Sequence, residues 1–192
     1  MASGSDDGTL RVWNPSLIKD PASTVVEPLN IWRASDRVTS VDVNQSVQLA
    51  AAGSNQQVSV WNLGTGELLQ TLSALKGWIG DIAISPNGGV LAAADSSNHL
   101  RLWNTTSFSL THDIPLAGFE AITALDFSPN GLMIALGGNN GKVVLWNLAN
   151  NTLHDPEIQY PAPVTDIAFH PREHDLISSY NDGLIRLWSY QP

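Results

Sequence analysis

The chain contains no cysteine among its 192 residues, and it has half as many basic residues as acidic ones, nine against eighteen. The lack of cysteine excludes disulfides, thiolate metal sites and a cysteine nucleophile. The formal charge of −9 and the lack of a Lys/Arg run argue against nucleic acid and anionic membranes as partners. No apolar run reaches the roughly 18 residues that a membrane helix needs, and the N-terminus does not resemble a secretory signal. We therefore expect a cytoplasmic protein.

Five tryptophans mark an internal repeat. They are spaced by 48, 42, 43 and 42 residues, and each ends a short alternating apolar run: Trp13, Trp61, Trp103, Trp146 and Trp188. A second alternating run precedes each of the last four tryptophans: Val38–Val43, Ile79–Ile84, Ile122–Phe127 and Val164–Phe169. Alternation of apolar and small or polar residues is the period of a strand, so both runs predict β-structure.

Turn residues separate these runs. Ser85-Pro86-Asn87-Gly88 and Ser128-Pro129-Asn130-Gly131 predict hairpin connections, because Pro fixes φ and Asn-Gly tolerates positive φ. A run of small residues lies between each first run and the run that ends in tryptophan, and a further run follows the tryptophan. A unit of about 42 residues therefore has four short antiparallel strands. Four such strands do not bury both faces of a sheet alone, so each sheet must pack against a copy of itself.

In period, turn chemistry and closing tryptophan, the chain resembles the WD40-repeat family, and residues Ser3 to Trp13 are very similar to the end of a WD40 unit. The resemblance implies an all-β fold, a WD40-like β-propeller of four-stranded blades. At this period, the chain would contain about four and a half blades in an open arc.

We predict a single propeller arc over residues 1–192. Its units are a partial first blade at 1–33, full units at 34–73, 74–115 and 116–159, and a last unit at 160–192 without its outer strand. Because end blades would expose apolar faces, the arc is either a fragment of a longer propeller protein or a partial propeller that self-associates. The longer first interval predicts an enlarged loop after Trp13, followed by an outer strand from Thr24 to Trp32.

The sequence departs from the family in a buried polar network. In WD40 proteins a His, a turn Asp and a Ser join the tryptophan in hydrogen bonds. Here no unit keeps the His, and the Ser remains only as Ser3 and Ser178. Since an unmet buried polar group costs about 1–3 kcal/mol, we expect the network to be lost as a whole.

A search for catalytic groups finds little. His170 and His174 have the spacing of a helical zinc motif, but Pro171 and the turn between them exclude a helix. The first strands carry four aspartates, which are either satisfied or solvated carboxylates or the lining of a cation-binding channel: Asp42, Asp81, Asp126 and Asp166. We therefore predict no metal site, no cofactor and no catalytic residue, and we expect that the protein is not an enzyme.

The resemblance implies a scaffold or recognition module that binds a protein or peptide on the propeller rim. Trp78 is the leading contact candidate, because an aromatic beside the rim suits an interface anchor, although its ring could instead fold over the adjacent blade. Arg37 would pair with an acidic partner or form an ion pair within its blade. The other rim candidates are small or polar: Thr39, Thr123, Thr165, Asp6, Ser54, Ser96, Asn139 and Asn181.

Two alternatives from other functional classes stay open. The chain could be the sensor or accessory segment of a larger signalling enzyme, such as an NTPase, kinase or protease, whose catalytic domain lies outside these residues. It could also be a hydrolase that uses the carboxylates of Asp81 and Asp166.

Overall fold

A computed structural model describes residues 1–14, 16, 27–73, 75–172 and 175–190, except for the side chains of 155–157. These residues form eighteen strands and no α-helix, so none of them belongs to a helix that could cross a membrane. The predicted enlarged loop falls largely outside the described residues, as does His174. The outer strand expected from Thr24 to Trp32 begins later in the structure, at Asn30.

The strands form five antiparallel sheets, numbered here in chain order. Sheet 1 contains β1 (Ala2–Gly4), β2 (Thr9–Val12) and β3 (Asn30–Arg33). Sheet 2 contains β4 (Ser40–Asn44), β5 (Leu49–Ser54), β6 (Gln57–Asn62) and β7 (Leu68–Leu72). Sheet 3 contains β8 (Ile79–Ile84), β9 (Val90–Asp95), β10 (His99–Asn104) and β11 (Leu110–Pro115). Sheet 4 contains β12 (Ile122–Phe127), β13 (Met133–Gly138), β14 (Lys142–Asn147) and β15 (Thr152–Gln159). Sheet 5 contains β16 (Val164–Phe169), β17 (Asp175–Tyr180) and β18 (Ile185–Ser189).

The predicted turns join neighbouring strands within each sheet. Gly88 and Gly131, the last residues of the two Ser-Pro-Asn-Gly turns, have φ angles of 73° and 70°, a conformation that glycine adopts without a Cβ clash. The Ser85 hydroxyl accepts a hydrogen bond from the N–H of Val90 at 2.9 Å and so closes its turn. Consecutive strands are therefore hydrogen-bonded neighbours in every sheet.

The sheets pack face to face in chain order, and the first strands of sheets 2 to 5 lie beside one another. Each closing tryptophan from Trp61 onwards lies in a core cluster with two residues of the preceding sheet. The pairs are Leu10 and Val12 for Trp61, Val58 and Val60 for Trp103, Leu100 and Leu102 for Trp146, and Val143 and Leu145 for Trp188. This arrangement confirms the all-β, open-arc propeller that the resemblance implied.

Alanine and glycine in the second strands let neighbouring sheets approach closely. Ala51, Ala92 and Ala135 occupy equivalent positions in three second strands, and none of them is exposed. A Cβ on Gly53 would lie 2.8 Å from a methyl carbon of Ile79 in the next sheet, and one on Gly137 would lie 2.5 Å from a methyl carbon of Val164. The small-residue character of these strands is therefore a packing requirement.

The expected complete loss of the tryptophan network was wrong. The Trp13 indole N–H donates to the Ser3 hydroxyl at 2.8 Å, and the Trp188 indole N–H donates to Ser178 at 2.7 Å. The bond needs only a serine in the strand that pairs with the start of the tryptophan's strand, so it persists without the family's His. In sheet 4 the buried Trp146 indole N–H has no partner among the described residues.

Candidate functional site

The loops before the first strands meet the turns between second and third strands at one end of the arc, which we call the loop face. Backbone hydrogen bonds join a loop and a turn at five places. They run from Val38 to Ser5, from Ile79 to Asn55, from Ser96 to Trp78, from Asn139 to Ala121 and from Asn181 to Pro163, at 2.9–3.0 Å from donor nitrogen to acceptor oxygen. These bonds fix the spacing of side chains that project from the loop face.

Trp78 projects from this face on a tightly held segment. The residue is 50% exposed, so half of its surface is accessible to a partner. Leu75 anchors the segment in the core, and the N–H of Lys76 donates to Asp95 at 3.4 Å. A Cβ on Gly77 would lie 2.4 Å from the Ser96 hydroxyl, which shows how closely the segment contacts the neighbouring turn. The site thus combines an exposed indole with a constrained backbone, the combination that lowers the entropy cost of binding.

A buried ion pair lies beneath this segment. Arg101 donates to the Asp95 carboxylate through Nη1, and neither side chain has any exposed surface. Ser97 donates to the same carboxylate through its backbone N–H at 2.9 Å and through its hydroxyl. Burial acts to raise the pKa of Asp95, but the hydrogen bonds from Ser97 and Arg101 outweigh it and hold the pKa below its usual value. Asp95 therefore remains a carboxylate and keeps the loop and the turn together.

Sequence reasoning did not single out Asp95 and Arg101. The available signal was an arginine two residues before the closing tryptophan in three units, at Arg11, Arg101 and Arg186. In sheets 1 and 5 this arginine pairs with an aspartate four residues earlier, Asp7 or Asp182. In sheet 3 that position holds Ser97, and Asp95, two residues further back, takes its place.

Arg37 lies in the loop before β4, one sheet earlier than Trp78 and three residues before that strand begins. It is exposed, and no described residue forms an ion pair with it. Its backbone N–H donates to the Asp36 carboxylate at 2.7 Å. This bond constrains the loop backbone and does not involve the guanidinium. The ion pair considered within the blade is therefore not formed among the described residues.

The remaining turn candidates differ in accessibility. Asp6, Asn139 and Asn181 are exposed on the loop face, and Ser96 is half-buried beside Gly77. Ser54 is completely buried, with its hydroxyl 3.3 Å from that of Ser35, so it does not belong to the exposed surface.

The threonine candidates form hydrogen bonds within and between sheets. The Thr39 hydroxyl lies 3.2 Å from the carbonyl oxygen of Ile79 in the next sheet, and the Thr123 hydroxyl donates to that of Val164 at 2.8 Å. Thr165, in the last sheet, is exposed, and its hydroxyl lies 2.8 Å from the Ser179 hydroxyl. Thr39 and Thr165 are exposed, and Thr123 is half-buried.

The aspartates of the first strands also act between sheets. Asp42 accepts from the N–H of Ile84 at 2.7 Å, and Asp126 accepts from the N–H of Phe169 at 2.8 Å. Asp81 accepts from the Ser40 hydroxyl at 2.5 Å and from a backbone N–H in sheet 4. Burial raises the pKa of Asp81 and of Asp126 to about 6 and raises that of Asp42. Three of the four aspartates are thus satisfied acceptors, and the described residues contain no cluster of three or more His, Cys, Asp or Glu side chains suited to a metal ion.

Comparison with known proteins identifies two family models that match this chain. The β-propeller model described as "Nucleolar protein 10-like, N-terminal domain" matches residues 37–192. The model described as "WD domain, G-beta repeat" matches residues 1–14.

Similar proteins are considerably longer than this chain. Striatin from Mus musculus is 27% identical over 202 residues, and striatin from Homo sapiens is 26% identical, each match covering 98% of this chain and 25% of striatin. "Target of rapamycin complex subunit wat1" from Schizosaccharomyces pombe is 28% identical over 151 residues, covering 74% of this chain and 45% of that protein. The chain thus spans between a quarter and just under half the length of these relatives.

Proposed function

Since the chain belongs to the β-propeller family of nucleolar protein 10-like N-terminal domains, we propose that it is a non-catalytic scaffold that binds a protein or peptide on its loop face. One relative is named as a subunit of a complex, which supports a role in assembly. The observation that carries the proposal is the half-exposed Trp78 on a segment held by the buried pair of Asp95 and Arg101. Such an aromatic contributes a large contact area at low entropic cost.

The cations near Trp78 favour an acidic peptide with an apolar side chain. Lys76 is an exposed cation on the same loop as Trp78, and Arg37 is an exposed cation on the neighbouring loop. The net charge of −9 repels an acidic partner only weakly, because most of these charges are distant from the contact and charges separated by more than about 8 Å are screened at physiological ionic strength. We propose that Trp78 packs against the apolar side chain while Arg37 contacts the acidic one.

A displayed library of random peptides tests this proposal. Peptides selected on the wild-type protein should bind Trp78→Ala at least tenfold more weakly, which corresponds to about 1.4 kcal/mol. Arg37→Ala should have a smaller effect that disappears at high salt. Leu110→Ala is the matched control, because Leu110 is also an exposed apolar residue but lies at the opposite end of sheet 3, paired with Trp103. Equal affinity for Trp78→Ala and Leu110→Ala would remove the loop face from the proposal.

The sensor role in a larger signalling enzyme stays a prediction. It is compatible with the same surface, because a propeller arc could present Trp78 to a peptide in either context.

A further inference from the structure

The turns at the end of the sheets opposite the loop face form a second surface. In sheets 2 to 4 these turns connect first strands to second strands and third strands to fourth strands, so the antiparallel order places all six at the same end. We call this surface, with the first residues of the fourth strands, the turn face. Its turns are residues 45–48, 63–67, 85–89, 105–109, 128–132 and 148–151. All six belong to the three complete sheets in the middle of the arc.

Exposed apolar side chains are concentrated on the turn face. Among the described residues of sheets 2 to 4, six large apolar side chains are exposed, and Trp78 is the one that lies at the loop face. The other five lie in the turns or at the start of a fourth strand: Val47, Leu68, Leu110, Leu132 and Leu153. Leu68, Leu110 and Leu153 occupy equivalent positions, because each pairs with the closing tryptophan of its sheet. Such a concentration of exposed apolar residues is typical of a protein interaction surface.

Charged side chains are almost absent from the turn face. Glu67 is the only charged residue in its six turns, and it lies in the outer turn of sheet 2, at the edge of the surface. The loops that precede the first strands of sheets 2 to 4, on the loop face, carry four exposed charges: Asp36, Arg37, Lys76 and Glu120. Depletion of charge distinguishes the centre of a protein interface from the rest of a protein surface. The two ends of the sheets are therefore suited to different partners.

Hydrogen bonds between turns hold the turn face in one conformation. Within each sheet a backbone N–H of the outer turn donates to a carbonyl oxygen of the inner turn. These bonds run from Leu63 to Gln48, from Thr105 to Gly89 and from Leu148 to Leu132, at 2.8–3.2 Å. Between sheets 2 and 3, the Asn44 amide donates to the carbonyl oxygen of Ser85 at 3.0 Å. A surface that is fixed in this way loses little conformational entropy when it binds.

The polar side chains of the turn face can form hydrogen bonds with copies of themselves. Each of the three sheets contributes exposed amides or hydroxyls: Gln45, Ser46, Asn87, Thr106, Asn130 and Asn150. An amide or hydroxyl side chain offers both a donor and an acceptor, whereas a carboxylate only accepts and an ammonium or guanidinium only donates. A two-fold contact between identical copies brings one surface against itself, so it needs groups of the first kind. The turn face is self-complementary in this sense, and the loop face is not.

The charge of the whole chain also favours this surface for contact between copies. Each copy carries a net charge of −9, and charges separated by more than about 8 Å are screened at physiological ionic strength. Repulsion therefore matters where carboxylates of two copies meet directly, and a contact through the turn face avoids such meetings. A lipid surface suits the turn face less well, because the six turns contain no Trp, Tyr, Lys or Arg, the residue types that anchor a protein at a membrane interface.

We infer that two copies of this chain associate through their turn faces in a two-fold contact, which buries the exposed leucines and leaves Glu67 at the rim. The loop faces then lie on opposite sides of the dimer, so both stay accessible to other partners. The inference does not depend on peptide binding at the loop face, because it concerns the other end of the sheets.

Sedimentation equilibrium between about 1 and 100 µM tests the contact. The wild-type chain should show a monomer–dimer equilibrium whose Kd changes little between low and high salt, because the contact contains few charges. Leu132→Asp places a carboxylate on each side of the contact and should weaken dimerisation by about tenfold or more. Trp78→Asp is the matched control. Trp78 is 50% exposed against 53% for Leu132 but lies on the loop face, so this variant should dimerise like the wild type.

The lack of cysteine in the chain permits a second, local measurement. Thr106→Cys introduces a single thiol on the turn face, and Asn139→Cys introduces one on the loop face, at positions that are both exposed. The thiol of the Thr106→Cys variant should react with a maleimide several times more slowly at 100 µM protein than at 1 µM, since dimerisation covers it. The thiol of the Asn139→Cys variant should react equally fast at both concentrations.

Far-UV and near-UV circular dichroism establish that the exposed-site variants are folded. A wild-type chain that stays monomeric at 100 µM would overturn the inference. In that case, cosedimentation with phosphatidylcholine vesicles would assign the turn face to a lipid surface, and lack of cosedimentation would leave it to a different protein. A Leu132→Asp variant that dimerises as tightly as the wild type, or a Thr106→Cys thiol that is not protected at high concentration, would overturn the inference equally, because association would then use another surface.

Discussion

Asp81 accepts a hydrogen bond at 2.9 Å from the backbone N–H of Leu125, a residue 44 positions later and in the next sheet. The same relationship joins Asp42 to Ile84 and Asp126 to Phe169. Each bond crosses from one sheet to the following one, so the carboxylates near the centre of the arc fix how neighbouring sheets are offset. Because an unpaired buried N–H costs about 1–3 kcal/mol, these bonds select one offset among those that apolar packing alone would allow.

The burial of these carboxylates predicts an unusual dependence of stability on pH. Asp81 and Asp126 have pKa values of about 6 in the folded protein, against 3.8 for an unperturbed aspartate. Between these values the folded state binds more protons than the unfolded state, so the free energy of unfolding decreases as pH rises through this window. Urea denaturation at low protein concentration should give a stability that is higher at pH 5 than at pH 7.5, by about 1–3 kcal/mol.

The variant Asp81→Asn cannot ionise, so its stability should change less between pH 5 and pH 7.5 than that of the wild type. Below about pH 4 the trend should reverse. Asp95 has a lowered pKa, and the stability that its carboxylate contributes is lost as pH falls through that value. A wild-type stability that rises steadily from pH 5 to pH 7.5 would contradict the proposed effect of burial.

Loss of Arg101 should destabilise the protein far more than loss of the equivalent arginine in sheet 1. Arg101→Met leaves the Asp95 carboxylate buried without a cation, and we expect a loss of about 3–5 kcal/mol in the free energy of unfolding. Arg11→Met breaks the solvent-exposed pair with Asp7 and should cost much less, because water and salt screen such a pair. Equal costs for the two changes in urea denaturation would show that burial does not determine the strength of the pair.

Gly80 lies where sheet 3 closely approaches sheet 4, and an alanine there should be poorly tolerated. A Cβ on Gly80 would lie 2.0 Å from the carbonyl oxygen of Ile122, which is backbone and cannot rotate away. We expect Gly80→Ala to lower the free energy of unfolding by about 2–4 kcal/mol, because the two sheets must separate to admit the methyl group. Gly89→Ala is the matched control, since its Cβ would meet only the Asn87 side chain, at 3.3 Å. A melting temperature that is the same for both variants would refute this interpretation.

The local sequence pattern was sufficient to predict several of the strands and turns. The strands predicted at Ile79–Ile84, Ile122–Phe127 and Val164–Phe169 have those bounds in the structure, and the turns at Gly88 and Gly131 have the backbone conformation that Asn-Gly favours. These features depend on residues adjacent in sequence, whose alternation and turn chemistry act before any sheet meets another.

The candidate site was less accessible to such reasoning. Trp78 could be placed at the rim from its position before a strand, but the Asp95–Arg101 pair that holds its loop could not. The turn aspartate of sheets 1 and 5 is replaced in sheet 3 by one two residues earlier, and only the conformation of the turn brings it to Arg101. The hydrogen bonds of Thr39 and Thr123 could not be predicted for a related reason, since their position in the strand does not show that a carbonyl of the next sheet lies beside them.

The sequence by itself determined the number of sheets, the strand order within each and the residues that alternate into the interfaces, because a period of two and a repeat of about 42 residues are properties of the chain alone. Only the tertiary structure decided which atoms meet between sheets. Those contacts join residues some 40 positions apart, and they depend on the offset and spacing of neighbouring sheets, which follow from the packing of all the side chains between them and not from any one segment.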